Sequence, residues 1–334
     1  MMNELTSCPS TLAKGYSTYS PIAMRKLFEG KKVSPILPYQ PMARSVEDAT
    51  AFLANTKYIS ISGVQNKYGL VVNKDKLVLT SKNEQSTYIL KPQAPSLRLS
   101  KDIPANENLT MQIAEQVFNL ETAANGLCFF ADGEIAYITK RFDVAKEGTK
   151  LRMEDFASLA GIASGEGSGA KYDYSYEEIA NLIKAYIPAW RVELVKFFRQ
   201  VLFNFLFSNG DAHLKNFAVL ETPHGDFKLS PAYDLLNTRL HVDDSDFALQ
   251  KGLFQDTNSS LFKTGTQANG ATFKAFGLKI GLRETIVARE LAFFTEKHLL
   301  IEKLITQSFL EDKTKRVYLM HYQNRRNRLA DFKL

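Results

Sequence analysis

Asp211, Asn216 and Asp234 are side chains whose types and spacing could do chemistry together. The apolar run through Phe203, Phe205, Leu206 and Phe207 breaks at Ser208-Asn209-Gly210, residues that favour a turn. Asp211 and Asn216 follow on that loop. Two strand-like pieces, residues 216–220 and 226–229, joined by a Pro-His-Gly turn, lead through Ser230-Pro231-Ala232-Tyr233 to Asp234. An acid, an amide and a second acid in this layout suit phosphoryl transfer. The first Asp orients an attacking hydroxyl and can accept its proton, while the Asn and the second Asp hold magnesium against nucleotide phosphates. Asn and Asp in turns also serve simply to bond their own backbone. What separates the two readings is a phosphate-binding lysine upstream, on an element able to aim it.

Lys91 meets that condition. It ends the strand-like segment Thr87-Tyr-Ile-Leu-Lys91, although a lysine at a strand end also reads as a solvated one. Before it, Tyr58-Ile-Ser60-Ile-Ser62-Gly63-Val64-Gln65-Asn66-Lys67 sets small hydroxylated residues and a Gly between strands. Such a loop can bring its amides to a phosphate, and taken alone it is equally an edge-strand loop. Strands are expected at 68–72 and 76–79, then a helix from near Pro104 to about residue 120 with Ile113, Ala114, Val117 and Phe118 towards the sheet. Glu107, in its first turn, either pairs with Lys91 or complements the helix dipole. Strands at 127–130 and 134–140 end in Lys140-Arg141-Phe142-Asp143, a polar connector with backbone amides free for an adenine edge.

The remaining chain reads as scaffold. Residues 1–43 form a proline-punctuated arm around a short helix at 22–28, and Ser45 caps a helix to residue 55. Further helices are expected at 152–160, from the capping box Ser175-x-x-Glu178 towards Tyr186, and at 190–207, 284–305 and 312–332. Residues 164–169 form a Gly/Ser loop, 237–275 are irregular, and the basic end with Arg325, Arg326 and Arg328 reads as surface. The 334 residues carry ordinary charged and apolar fractions, enough for a large core. The net charge of +6 is spread along the chain, so no direct nucleic-acid contact is expected. No apolar run approaches membrane-span length and no hydrophobic leader is apparent. Cys8 and Cys128 are too few for a disulfide framework or a cysteine metal site, which suits a reducing, cytoplasmic setting.

In order and spacing, a set of these segments resembles the HipA-like serine/threonine kinases over roughly residues 55–330. The set is Ser60-Ile-Ser-Gly-Val-Gln-Asn-Lys67, Tyr88-Ile-Leu-Lys91-Pro92, Asn106-Glu107, Lys140-Arg-Phe-Asp143, Asn209-Gly-Asp-Ala-His-Leu-Lys-Asn-Phe217 and Ser230-Pro-Ala-Tyr-Asp234. Length and the Gly15-Tyr-Ser-Thr and Leu37-Pro segments are closer to the short HipT type, which lacks an N-terminal subdomain supplied by a separate small protein. The resemblance implies an α+β, bilobal, protein-kinase-like fold: an arm at 1–43, a small β-rich N-lobe at 44–142 and a large α-helical C-lobe at 143–334. It implies ATP and magnesium as cofactors, with Asp211 catalytic, Asn216 and Asp234 on the metal, and Lys91 on the phosphates. The loop Ser62, Gly63, Val64, Gln65, Asn66 and Lys67 would cover the phosphates, and the backbone of Lys140, Arg141 and Phe142 would meet the adenine. Glu107, His213, Lys215 and Tyr233 would complete the nucleotide site, and Ser60 and Ser62 become candidate autophosphorylation sites.

The implied partners are a protein substrate such as an aminoacyl-tRNA synthetase, an antitoxin and a small accessory protein. The sequence departs from ordinary protein kinases: it has no G-x-G-x-x-G, no Arg before Asp211 and no Gly after Asp234-Leu235. The usual activation-loop switch is therefore not expected, and a loop phosphoserine becomes the physically sensible regulator. Rival readings are a small-molecule phosphotransferase, an inactive pseudokinase binding module and a stand-alone secreted effector kinase.

Overall fold

The computed structural model describes residues 5–41, 56–60, 65–81, 84–162, 169–256 and 267–331. The expected helix at 45–55, the loop residues Ser62, Gly63 and Val64, and most of the Gly/Ser loop lie outside them. The chain divides into two compact units, the first made of Met1–Val117, Ala123–Val144 and Leu299–Arg316. Its elements in chain order are helix α1 (Pro21–Phe28), strands β1 (Thr56–Ser60), β2 (Gln65–Asn73), β3 (Lys76–Leu79) and β4 (Tyr88–Lys91), helix α2 (Ile103–Gln116), and strands β5 (Asn125–Phe129) and β6 (Ile135–Lys140). The strands form an antiparallel sheet in the order β1-β2-β4-β6-β5, with β3 hydrogen-bonded to β2.

The sequence arm is part of this unit's core. Ser20 caps α1, its Oγ accepting from the Ala23 amide at 3.2 Å, and Pro21 starts the helix with φ already set. Tyr19, Leu27 and Phe28 are then buried with Leu70, Leu77, Leu90 and Ile138 of the sheet. Two tyrosine hydroxyls satisfy backbone carbonyls across that contact, Tyr19 to Leu127 at 2.7 Å and Tyr88 to Leu27 at 2.9 Å. α2 is buried along nearly its whole length, because β5 and β6 cover one side and residues 299–307 another. Its buried Asn108 reaches out of the helix, Nδ2 donating to Asn125 Oδ1 at 3.0 Å and to Ser10 O at 3.2 Å, while its Oδ1 has no partner. Asp102, just before α2, accepts from the Glu311 amide at 3.1 Å and from the Thr314 hydroxyl, which ties in a segment the sequence alone groups with the helical half.

The second unit comprises Phe118–Thr122, Ala145–His298 and Val317–Leu334. It contains β7 (Met153–Asp155), α3 (Phe156–Leu159), α4 (Tyr176–Tyr186), α5 (Trp190–Leu206), β8 (Ala218–Glu221), β9 (Phe227–Leu229), α6 (Gly270–Lys279) and α7 (Glu284–Thr295). Beyond them, α8 (Leu299–Gln307) lies in the first unit and α9 (Asp312–Ala330) closes the described chain. β7, β8 and β9 make a small antiparallel sheet. The core is aromatic. The fully buried Phe118 ring meets Phe203, Phe207, Phe293 and Phe294 at centroid distances of 5.5, 5.8, 5.8 and 4.6 Å. Phe118→Ala is accordingly expected to lower the unfolding free energy by about 3–5 kcal/mol, measurable by urea denaturation.

Several elements differ from the sequence expectation for identifiable reasons. Residues 153–155 are a strand, paired to β8, before Asp155 caps the single turn of α3 by accepting from the Ser158 amide at 2.8 Å. α2 stops at Gln116, and Asn119 with φ +49° turns the chain, so Phe118 joins the aromatic core rather than the sheet. The expected helix at 284–305 is two helices, interrupted where Glu296 is extended at ψ 154°. Part of the irregular stretch forms α6. Arg325 is not a surface residue: it is 2% exposed and paired with Asp246. Among the described residues no helix is long and apolar enough to cross a membrane.

Candidate functional site

In the first unit, β4 carries Lys91 to its end and α2 presents Glu107 to it. Lys91 Nζ donates to Glu107 Oε1 at 2.6 Å, with side chains only 5% and 2% exposed, and the ammonium lies 5.3 Å from the Tyr137 ring centroid. Of the two sequence readings for Glu107, the structure selects the pair. Gln65, opening β2, is buried and donates through Nε2 to Pro92 O at 2.7 Å, while its Oε1 has no partner. Ser60 ends β1 and pairs in register with Gln65. Asn66 and Lys67 continue β2 and are half-buried.

Two of the amides expected to be free at the end of β6 are taken. Lys140 N donates to Ala124 O and Arg141 N to Thr87 O, at 2.8 and 2.9 Å. Their side chains are engaged as well, Lys140 with Glu29 at 2.7 Å and Arg141 with Asp143 at 2.9 Å through Nε. Phe142 is half-buried beside them.

In the second unit, the C-terminus of α5 delivers the loop. Ser208 takes a left-handed conformation, φ +54°, and Arg325 Nε donates to its hydroxyl at 3.2 Å. Asn209 then locks the turn: its amide donates to Asn204 O at 2.8 Å, and its Nδ2 donates to Asn204 Oδ1 at 3.0 Å and to Asp234 O at 3.3 Å. Gly210 N donates to Thr238 Oγ1 at 2.8 Å, and a Cβ on Gly210 would fall 2.4 Å from the Asp244 Cβ. The glycine is thus required by close approach, not by φ.

On this frame Asp211 Oδ1 accepts from the Tyr172 hydroxyl at 2.9 Å and lies 3.9 Å from His213 Nε2. Asn216 Oδ1 accepts from the His213 amide at 3.1 Å, and its Nδ2 faces Asp234 Oδ2 at 3.4 Å. Asp234 itself has φ +55°, a strained value for an aspartate, held in part by the Asn209 bond to its carbonyl. Tyr233 donates its hydroxyl to Lys215 O at 2.8 Å, joining the hairpin's exit to the loop; the Lys215 side chain is exposed.

Burial sets the protonation states. It pushes the Asp211 carboxyl up to about 6, against the Tyr172 hydrogen bond and the Lys171 charge, which favour the anion. It also pushes the His213 imidazole down to about 3, with Lys171 adding to the effect, so the ring is neutral at physiological pH. Lys171 Nζ lies 2.8 Å from His213 Nε2, and the proton of the neutral ring therefore sits on Nδ1, which is buried and unpartnered. Lys171 and Tyr172, in the short 3-10 turn Ala170–Tyr172, are absent from the sequence-level site. Their only sequence signal is a Lys-Tyr pair between the Gly/Ser loop and the Ser175 capping box.

A cluster of three or more His, Cys, Asp or Glu side chains able to hold a metal is absent among the described residues. Asn216 turns its Nδ2 to the Asp234 carboxylate, while its Oδ1 accepts from the His213 amide and keeps a second lone pair. That oxygen and the carboxylate are donors of the type magnesium takes, an ion that keeps several waters and needs few protein ligands.

A protein of two units, one built on an antiparallel sheet with a buried Lys-Glu pair and the other mainly helical with an Asp/Asn/Asp loop, has the fold of a HipA-type kinase. The model of the HipA-like C-terminal domain matches residues 59–297, and the chain belongs to that family. A Haemophilus influenzae protein described as "Putative kinase" is 28% identical over 310 residues, spanning 88% of this chain and 87% of its own. The "Putative kinase Y4dM" of Sinorhizobium fredii is 32% identical over 210 residues, 58% of this chain but only 48% of that protein. The HipA of Shewanella oneidensis MR-1, solved in a toxin-antitoxin complex with HipB and operator DNA, superposes with a TM-score of 0.63 at 22% identity, covering 82% of this chain and 66% of that one.

Proposed function

We propose that this protein is an ATP- and magnesium-dependent serine/threonine protein kinase that phosphorylates itself on Ser60 or Ser62 and acts as the toxin of a toxin-antitoxin system. The observation that carries the reading is Asp211, a half-buried carboxylate with a defined hydroxyl partner, on the same loop as Asn216, which touches Asp234 at the exit of the β8–β9 hairpin. In this reading Asp211 orients the substrate hydroxyl and takes its proton as the oxygen attacks the terminal phosphorus of ATP. A carboxyl near 6 is mostly ionised at neutral pH yet basic enough to accept a proton. Asn216 and Asp234 hold magnesium, which when bound neutralises phosphate charge. Lys91, fixed by Glu107, contacts the phosphates. The loop from Ser62 to Lys67 covers them, and Glu107, Lys140, Arg141, Phe142, His213, Lys215 and Tyr233 complete the nucleotide site.

The toxin assignment rests on family membership and on the HipA of Shewanella oneidensis, whose structure includes HipB and operator DNA. By that likeness an antitoxin is the expected partner and an aminoacyl-tRNA synthetase the expected substrate. The test is mass spectrometry after incubation with ATP and magnesium. Phosphate is expected on Ser60 or Ser62, absent when magnesium is chelated and absent from Asp211→Asn. Phosphate only outside residues 60–62 would remove the autophosphorylation assignment, and no nucleotide-dependent phosphate on any serine or threonine of the chain or of added protein would remove the kinase.

A further inference from the structure

Lys171 is a half-buried ammonium with no ion-pair partner among the described residues. An ammonium can only donate, so its hydrogen-bond acceptor is the lone pair of His213 Nε2 at 2.8 Å, which supplies no countercharge. That same nitrogen stands 3.9 Å from Asp211 Oδ1, and the next residue, Tyr172, holds Asp211 Oδ1 directly at 2.9 Å. Asp211 attracts the ammonium through space without bonding it, and the hydrogen bond itself goes to a neutral acceptor, about half as strong as one to an anion. Burial already works against the ammonium's charge. His213 itself is incompletely bonded, 6% exposed with an unpartnered Nδ1. Arg325, a structural cation of the same unit as Lys171, is by contrast given a carboxylate, that of Asp246.

We propose that Lys171 is a further catalytic residue of the phosphoryl-transfer site, its ammonium exchanging His213 Nε2 for an oxygen of the phosphoryl group in flight. The assignment rests on the kinase reading. In the step, the substrate oxygen bonds to the terminal phosphorus and the bond to the bridging oxygen breaks, its electron pair leaving on ADP. The substrate proton goes to Asp211. Lys171 neither gives nor takes a proton and offsets charge spread over the transferring oxygens, as cations do in other phosphoryl-transfer sites.

The discriminating experiment measures binding by calorimetry of magnesium-ADP alone and of magnesium-ADP with aluminium fluoride, which mimics the phosphoryl group in flight. Wild type, Lys171→Met and Lys171→Arg are compared. The expected result is an ADP affinity within about twofold of wild type for both variants, and a loss of about a hundredfold in mimic affinity for Lys171→Met, largely restored in Lys171→Arg. A Lys171→Met protein that binds the mimic as tightly as wild type overturns the assignment. So does a parallel loss for ADP and mimic, which would mean that the ammonium holds the bound nucleotide or the fold. A wild type that gains nothing from aluminium fluoride over ADP takes down the kinase reading, and this assignment with it.

Discussion

Asp211→Asn will leave magnesium-ATP binding close to wild type and lower phosphoryl transfer by about a hundred- to ten-thousandfold, the usual worth of a positioned general base. The pH dependence makes the prediction specific. Because burial holds the carboxyl near 6, the wild-type transfer rate should rise with pH through about 6 and level off above it. The residual rate of Asp211→Asn should lack that limb. Tyr172→Phe, which removes a hydrogen bond that favours the anion, should move the limb to higher pH. The same shift has a thermodynamic side. A carboxyl raised from 3.8 to about 6 on folding contributes stability that is fully present below 3.8 and lost as pH rises through 6. Without nucleotide, Asp211→Asn should therefore unfold later than wild type at pH 8, by about 2–3 kcal/mol, and show no such gain at pH 3.5. An inactive variant that is also destabilised at pH 8 would mean that Asp211 holds the loop rather than serving as a base.

What the sequence made legible follows the range of the forces involved. Strands β2 to β6 and helices α1, α4 and α5 were readable because alternation, the prolines around α1, the Ser175 cap and the flanking turns act within a few residues. The approach of Asn216 to Asp234 follows from the hairpin read at 216–229, which brings its two ends together. Tyr172 and Lys171 were not readable. They reach Asp211 and His213 from residues 39 and 42 positions away, through contacts that leave no periodic trace. That the amides of Lys140 and Arg141 are taken by Ala124 and Thr87 was not readable, because sheet register sets those pairings. Arg325 shows the limit of composition. A basic helix end looks solvated until Asp246 and the Ser208 hydroxyl, both distant in sequence, bury one guanidinium against the Phe205 ring, whose centroid lies 4.8 Å away.

Lys91→Met will destabilise the first unit by about 3–5 kcal/mol, because it leaves the Glu107 carboxylate buried without its partner. It will also abolish transfer. Since either effect alone would reduce activity, the informative variant is the double one, Lys91→Met with Glu107→Leu. With both charges gone, apolar side chains of similar volume occupy the contact between β4 and α2, and stability should return to within about 1 kcal/mol of wild type, or exceed it. Denaturant unfolding of the two single variants and the double variant gives the coupling directly. Transfer should not return. A cation held at 2.6 Å from a carboxylate, both buried, contributes little that packing could not supply, and in the proposed kinase its value is the charge it presents to phosphate. Measured against Glu107→Gln, which keeps the lysine but loosens its anchor, the double variant should fall lower in magnesium-ATP affinity although it is the more stable protein. Recovery of turnover along with stability would make the pair a packing device, and Lys91 would then have no role in catalysis.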